Sequence, residues 1–225
     1  MAKIDRQNLM ADIESLRDGR RLISFFNFDR ISNPILPGVE TSFQVSAKEP
    51  LFRVLKETIQ PDEKIDLYFY TRGGEVNAVW PIISLLREFD PDFEVLVPYM
   101  CHSAGTLLVL GAKKIHLTPL SELGPIDPEV GGPFNPPHPR YPGDLAPVSV
   151  EDVQAYRKFC LDQLQLGDPK DDPAETREHL KPFLLAFTQA LHPLALGNVH
   201  RAHLQIKRLG AELLKLHGVE EEKAK

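Results

Sequence analysis

The alternation of apolar and polar residues divides the chain into an α/β first part and a helical last part. Ile4, Leu9, Ile13 and Leu16 fall roughly on one side of a helix over residues 4–16. Arg21–Phe28 (RLISFFNF) reads as a strand, and Pro50–Ile59 as a short helix opened by its proline. Lys64–Tyr70 (KIDLYFY) predicts a strand that stops at Thr71-Arg72-Gly73-Gly74. Val76, Val79, Trp80, Ile83 and Leu86 then carry a helix to about Phe89, with Pro81 expected to weaken or kink it. Phe93–Val97 predicts a strand, Ser103–Gly111 a buried helix, and Lys114–Thr118 a further strand. Strands alternating with helices in this way form crossover units on a parallel sheet.

From Pro119 to Pro147 no periodicity survives among the prolines and glycines, which predicts a long loop, of a length that is usually functional or mobile. Helical patterns return at Ser149–Leu164, Pro173–Leu191 and Gly197–His217, and the charged tail from Glu220 is expected to fray. The chain is therefore expected to hold an α/β core over 1–148 and a helical segment over 149–225. The latter would pack on the core or on a partner subunit.

Composition narrows the classes. The net charge of −6 and the absence of a Lys/Arg-dense stretch argue against a nucleic-acid partner. Cys101 and Cys160 are too few for a disulfide framework and form no CxxC pair, which fits a reducing compartment. No apolar signal core opens the chain, and no run reaches the roughly 18 apolar residues of a membrane span. These features predict a cytoplasmic protein. His200 and His203 share a helical face near His192, but without a third ligand they read as surface histidines, and no metal or cofactor is expected.

The candidate chemistry sits at two turns. Ligands of parallel α/β sheets bind at the carboxyl ends of strands, where both Gly73-Gly74 and Ser103 fall. Glycines let backbone N–H groups approach a substrate. Ser103 opens a helix, beside the N–H of Ala104 and the positive end of the helix dipole. A serine there is ordinarily an N-cap, so its context decides.

Thr71-Arg72-Gly73-Gly74-Glu75-Val76, Ser103-Ala104-Gly105-Thr106 and Ser121-Glu122-Leu123-Gly124-Pro125-Ile126-Asp127-Pro128 supply that context. These three blocks resemble the Clp/crotonase superfamily, and within it the serine dehydrogenase proteinase family, related to signal peptide peptidase A and the Clp proteolytic subunit. The 29 residues from Gly74 to Ser103 match the family spacing, and His192–Gly197 is family-like as well. The resemblance implies a fold of repeated β-β-α units and a serine peptidase with Ser103 as nucleophile. The N–H groups of Gly74 and Ala104 would form its oxyanion hole. It also implies a peptide or protein substrate bound by strand addition, and a homo-oligomer. Full-length relatives leave room for a further C-terminal domain. Arg72 stands where the family commonly has proline.

The base is not assigned. By the resemblance, Asp127 stands where the Clp subunit has histidine, and Ser149 where membrane-associated relatives have lysine, so neither dyad carries over. His102 adjoins Ser103 and is expected to point away. His116 falls on the polar side of its strand and is expected to face solvent. Lys158 lies opposite the apolar stripe of its helix, and Ser149 reads as an N-cap. Asp127 and His138 remain as candidates, Asp127 alternatively as an orienting or structural carboxylate, together with a group from a neighbouring subunit. Two other readings stay open: a non-catalytic Clp-fold protein that binds peptides or partners, and a crotonase-type acyl-CoA enzyme. The missing first glycine of G-x-S-x-G around Ser103 disfavours an α/β-hydrolase.

Overall fold

Alternating side chains on β2, Ile65–Tyr70, explain how the first part is layered. Ile65, Leu67 and Phe69 point to one face and are fully buried, whereas Asp66, Tyr68 and Tyr70 point to the other. In the computed structural model, which describes residues 5–27, 41–163, 173–216 and 218, β2 is an inner strand of a four-stranded sheet. Its neighbours are β1, Arg21–Phe26, and β3, Glu94–Val97, with β5, Lys114–Leu117, beyond β3. Every pairing is parallel, with Phe25 opposite Phe69, Tyr68 opposite Leu96 and Val97 opposite Leu117.

Parallel neighbours require crossovers. The helices that make them are α2, Lys48–Thr58, α3, Val79–Phe89, and α4, Ala104–Val109. They bury Leu51 and Leu55, Ile82, Ile83 and Leu86, and Leu107 and Leu108. Pro81 does not kink α3: it lies in the first turn, where a backbone N–H has no helical acceptor to lose. The N-terminal helix α1, Arg6–Leu16, is capped by Asp5, and Arg17 just beyond it reaches Asp66 on the opposite face of β2.

A second, short ladder runs beyond the strand ends. Thr71 bridges Cys101, and Phe43 bridges Gly74. β4, Met100–Cys101, pairs in parallel with β6, Glu122–Leu123. A main-sheet strand, a short strand or bridge of this ladder, and a helix therefore recur three times, as the β-β-α expectation requires.

The compact unit that contains this sheet ends at Ile126 and includes the chain from Leu209; Asp127–Arg208 form a second unit. The sequence pattern places its divide at 148/149 instead. The proline-rich segment groups with the helices because it bonds to their start. Within it β7, Glu129–Val130, pairs antiparallel with β8, Val148–Ser149. The Asn135 side chain donates to the carbonyls of Val130 and Ala146. Val148, Val150 and Val199 form a small apolar core with Val130, Val153, Leu191 and Ala202 packed on it. The second unit's helices are α5, Val150–Gln163, and α6, Pro173–Ala190, and α7, Pro193–Lys215, begins in it. α7 starts earlier than the sequence pattern suggests, because His192 Nδ1 accepts the Leu194 N–H at 3.2 Å and serves as a cap. The tail from Glu220 lies outside the described residues.

Candidate active site

β2 ends against β4 through paired backbone bonds: Thr71 N–H donates to Met100 O and His102 N–H to Thr71 O, each at 3.1 Å. The buried Thr71 hydroxyl accepts the Gly73 N–H at 3.0 Å, which turns the chain sharply. Phe43 braces the turn from Gly73 to Glu75, its N–H donating to Gly73 O and its carbonyl accepting from Glu75. In a parallel bridge of this kind the middle residue directs its own N–H to the other side. The Gly74 N–H accordingly has no acceptor among the described residues.

Only glycine fits these positions. Gly73 has φ of 113° and Gly74 of 154°. A Cβ on Gly74 would lie 2.0 Å from Phe43 O, and one on Gly73 would lie 2.9 Å from Ser103 Cβ. That second contact places the glycine turn directly against Ser103.

Ser103 sits between β4 and α4 with φ 51° and ψ −116°, a conformation costly for a non-glycine residue. It does not act as a side-chain N-cap: its hydroxyl has no hydrogen-bond partner among the described residues. Ala104, the first residue of α4, has a backbone N–H with no helical acceptor. α4 has only six residues, so its dipole adds less than the two N–H groups themselves.

Two groups hold the strained turn. Gly105 N–H donates to His102 O at 2.9 Å. The Thr106 hydroxyl lies 2.9 Å from both Cys101 O and Gly124 O, tying the helix start to β4 and to the end of β6. Gly105 allows α4 to pack on β2, since a Cβ there would be 2.3 Å from Thr71 Cγ2 and 2.9 Å from Cys101 Sγ. Burial pushes the Cys101 thiol up to about 12, so it stays protonated and inert beside the turn. His102 lays its ring on Gly124 and brings Nε2 to 3.4 Å from Glu122.

The base candidates are otherwise engaged. Asp127 accepts from the Ser149 hydroxyl at 2.8 Å and from Glu151 N–H at 3.0 Å, while Ser149 accepts from Asp152 N–H. Asp127 and Ser149, which the resemblance sets against a histidine and a lysine, are here bonded to each other at the head of α5. His138 Nδ1 accepts from the N–H groups of Arg140 and Tyr141, each at 3.1 Å. The neutral ring then carries its proton on Nε2, which donates and cannot accept. Lys158 is exposed. His116 departs from the expectation of solvent exposure: its Nε2 lies 2.5 Å from Glu94 and 2.9 Å from Arg17. The polar side of β5 belongs to an ion-pair cluster because the turn after α1 reaches over that face of the sheet. Among the described residues no three His, Cys, Asp or Glu side chains gather as a metal site. His192 is instead a cap that stacks on Phe134 at 4.8 Å.

Phe43 is the site residue that sequence reasoning missed. It lies some 30 residues before the glycine turn, and its role is performed by backbone atoms, which leave no side-chain signature.

A parallel sheet extended by a second ladder, with a serine between a glycine turn and a helix, defines a Clp-like α/β protein. A family model described as "ClpP-like SDH-type serine proteinase" matches residues 2–138, and the chain belongs to that family. Two uncharacterized proteins of Methanocaldococcus jannaschii are 34% and 31% identical to it over 87 residues. Each match covers 39% of this chain but only 30% of the relative's length. Among solved structures, a mutant membrane-bound stomatin-specific protease in complex with a substrate peptide is 16% identical, with a TM-score of 0.37. That alignment covers 64% of this chain and 57% of the other. No described helix here is long and apolar enough to cross a membrane.

Proposed function

We propose that the chain is a serine endopeptidase that cleaves peptide bonds through an acyl-enzyme on Ser103. The observation that carries this reading is the strained Ser103 turn packed against Gly73, with the N–H groups of Gly74 and Ala104 lacking acceptors among the described residues. Ser103 Oγ adds to the scissile carbonyl carbon, and the carbonyl electrons move to an oxygen held by those two donors. The C–N bond then breaks, and the leaving amine takes up the proton lost by the hydroxyl, delivered by a base. Water attacks the resulting ester and frees Ser103.

Asp127 and His138 serve as base only if they exchange their present partners; a group from a second copy of the chain is the other source. The unpaired cysteines support a cytoplasmic setting, and self-association belongs to the same reading. A fluorophosphonate probe is expected to label Ser103 and to leave Ser103→Ala unlabelled. Folded parent protein that resists the probe would overturn the reading.

A second reading is a Clp-fold protein that binds peptides without cutting them. It is favoured by the engagement of both Asp127 oxygens and of His138 Nδ1. Peptide affinity shared by the parent and Ser103→Ala, with no turnover by either, is its signature.

A further inference from the structure

Arg72 lies inside the turn that presents the oxyanion donor, yet nothing in the peptidase mechanism uses it. The residues on either side are buried and fastened to the Ser103 turn. Thr71 bridges Cys101 and accepts from His102 N–H, and Gly73 meets Ser103 directly. The Arg72 backbone is thus fixed within the site, two residues from Gly74, a reach of about 7 Å. Its side chain is exposed and has no hydrogen-bond or ion-pair partner among the described residues.

The neighbouring acids do not neutralise it. The Glu75 carboxylate accepts the Val45 N–H at 3.2 Å, and Glu122 faces His102. Four other arginines of the same unit have carboxylate partners, Arg17 and Arg20 in Asp66, Arg21 in Glu63 and Arg53 in Glu49, whereas Arg6 and Arg87, like Arg72, have none among the described residues. A guanidinium presents a rigid fork of N–H donors that matches the two oxygens of a carboxylate.

We infer that Arg72 is a specificity-determining residue that favours peptides carrying a carboxylate beside the scissile bond. The inference rests on the peptidase reading of the site, and the carboxylate can come from an acidic side chain or from the free C-terminus of the peptide. An exposed charge pair supports a preference of about fivefold, weakened by salt.

The test uses one peptide core in four forms: neutral with an amidated end, acidic side chain with an amidated end, neutral with a free carboxyl end, and both together. Their kcat/KM values are compared in the parent, Arg72→Ala, Arg72→Lys and Arg72→Glu, and their affinities are measured by fluorescence anisotropy in Ser103→Ala with and without Arg72→Glu. The parent is expected to prefer one or both carboxylate forms, Arg72→Lys to keep most of the preference, Arg72→Ala to lose it and Arg72→Glu to reverse it. The two single-carboxylate peptides show which source is read. An unchanged acid-to-neutral ratio in Arg72→Glu overturns the inference, as does an equal fall in kcat for all four peptides, which would place the cation on the oxyanion. Absence of probe labelling at Ser103 defeats the peptidase reading alone, because the anisotropy ratios still decide the role of Arg72; peptides that fail to bind at all overturn the inference as well.

Discussion

The two ends of one sheet are built on opposite terms. Near the starts of the strands, side-chain charges saturate one another. Asp66, fully buried, accepts from Arg17 at 2.8 Å and Arg20 at 2.5 Å, while Glu94 accepts from Arg17 at 2.6 Å and lies 2.5 Å from His116. Beyond the strand ends, around Ser103, the polar groups that matter are backbone N–H groups and a hydroxyl without partners among the described residues, held in strained conformations by glycines and threonines. Satisfied buried polar networks fix a structure, whereas unspent donors with fixed geometry are what a reacting oxyanion needs. The same strands thus carry anchorage at one end and, on the proposed reading, the reacting groups at the other.

If that division holds, damage at the two ends separates function from stability. The largest effect is expected from Gly74→Ala. Its Cβ would collide with the Phe43 backbone, so the bridge must open and the Gly74 N–H must turn. Loss of one oxyanion donor lowers the rate by about 10²–10³-fold. Peptide turnover and the rate of probe labelling should fall together, with circular dichroism little changed. A variant with near-parental turnover would remove Gly74 from the oxyanion hole.

Asp66→Ala is the counterpart at the other end. It takes the one fully buried carboxylate from the Arg17 and Arg20 guanidinium groups, only 25% and 15% exposed, and leaves them Glu94 and, for Arg20, Asp90. Breaking a buried pair on one side costs on the order of 3 kcal/mol. Urea unfolding should show that loss. Probe labelling at low temperature, where the variant stays folded, should keep the parental rate. A collapse in labelling without a loss of stability would mean that the two ends are not independent.

The two regions also differ in how far the sequence discloses them. The glycine turn is legible because positive φ values and close approach to a neighbouring backbone admit only glycine, so the geometry leaves a compositional mark at Gly73 and Gly74. Strand alternation likewise places Ile65, Leu67 and Phe69 in the core. The charged end is not legible by the same rule. Alternation gives Asp66 and His116 to a polar face, and a polar face reads as a wet one; residues distant in sequence, Arg17 and Arg20, make it a paired interior instead. The general base that the proposed mechanism needs resists for a further reason. A proton acceptor needs only the right distance to Ser103, and that distance is set by tertiary or quaternary packing rather than by any local spacing. Phe43 adds a third case, a residue whose backbone shapes the site while its identity records only burial.

The smallest expected effect is the acid dependence of the charged end. Burial alone would raise the Glu94 carboxyl, but the hydrogen bonds from His116 and Arg17 and the charge of Arg20 outweigh it and hold the group below its ordinary range. Arg17, raised chiefly by its bond to Asp66, stays charged throughout. Because the folded chain releases the Glu94 proton more readily than the unfolded one, the stabilisation is complete above about pH 4.3 and is lost as the pH falls through the lower folded value. The groups facing Glu94 are Arg17 and Arg20 from the segment after α1 and His116 from β5. A glutamine at position 94 cannot ionise, so Glu94→Gln should lower Tm near neutral pH by roughly 2–4 °C for each kcal/mol lost, and the gap to the parent should close as the pH drops below about 4. A gap that persists or widens in acid would show that Glu94 acts by packing and not by its charge. The ion pairs that anchor this end would then be those of Asp66 and Asp90.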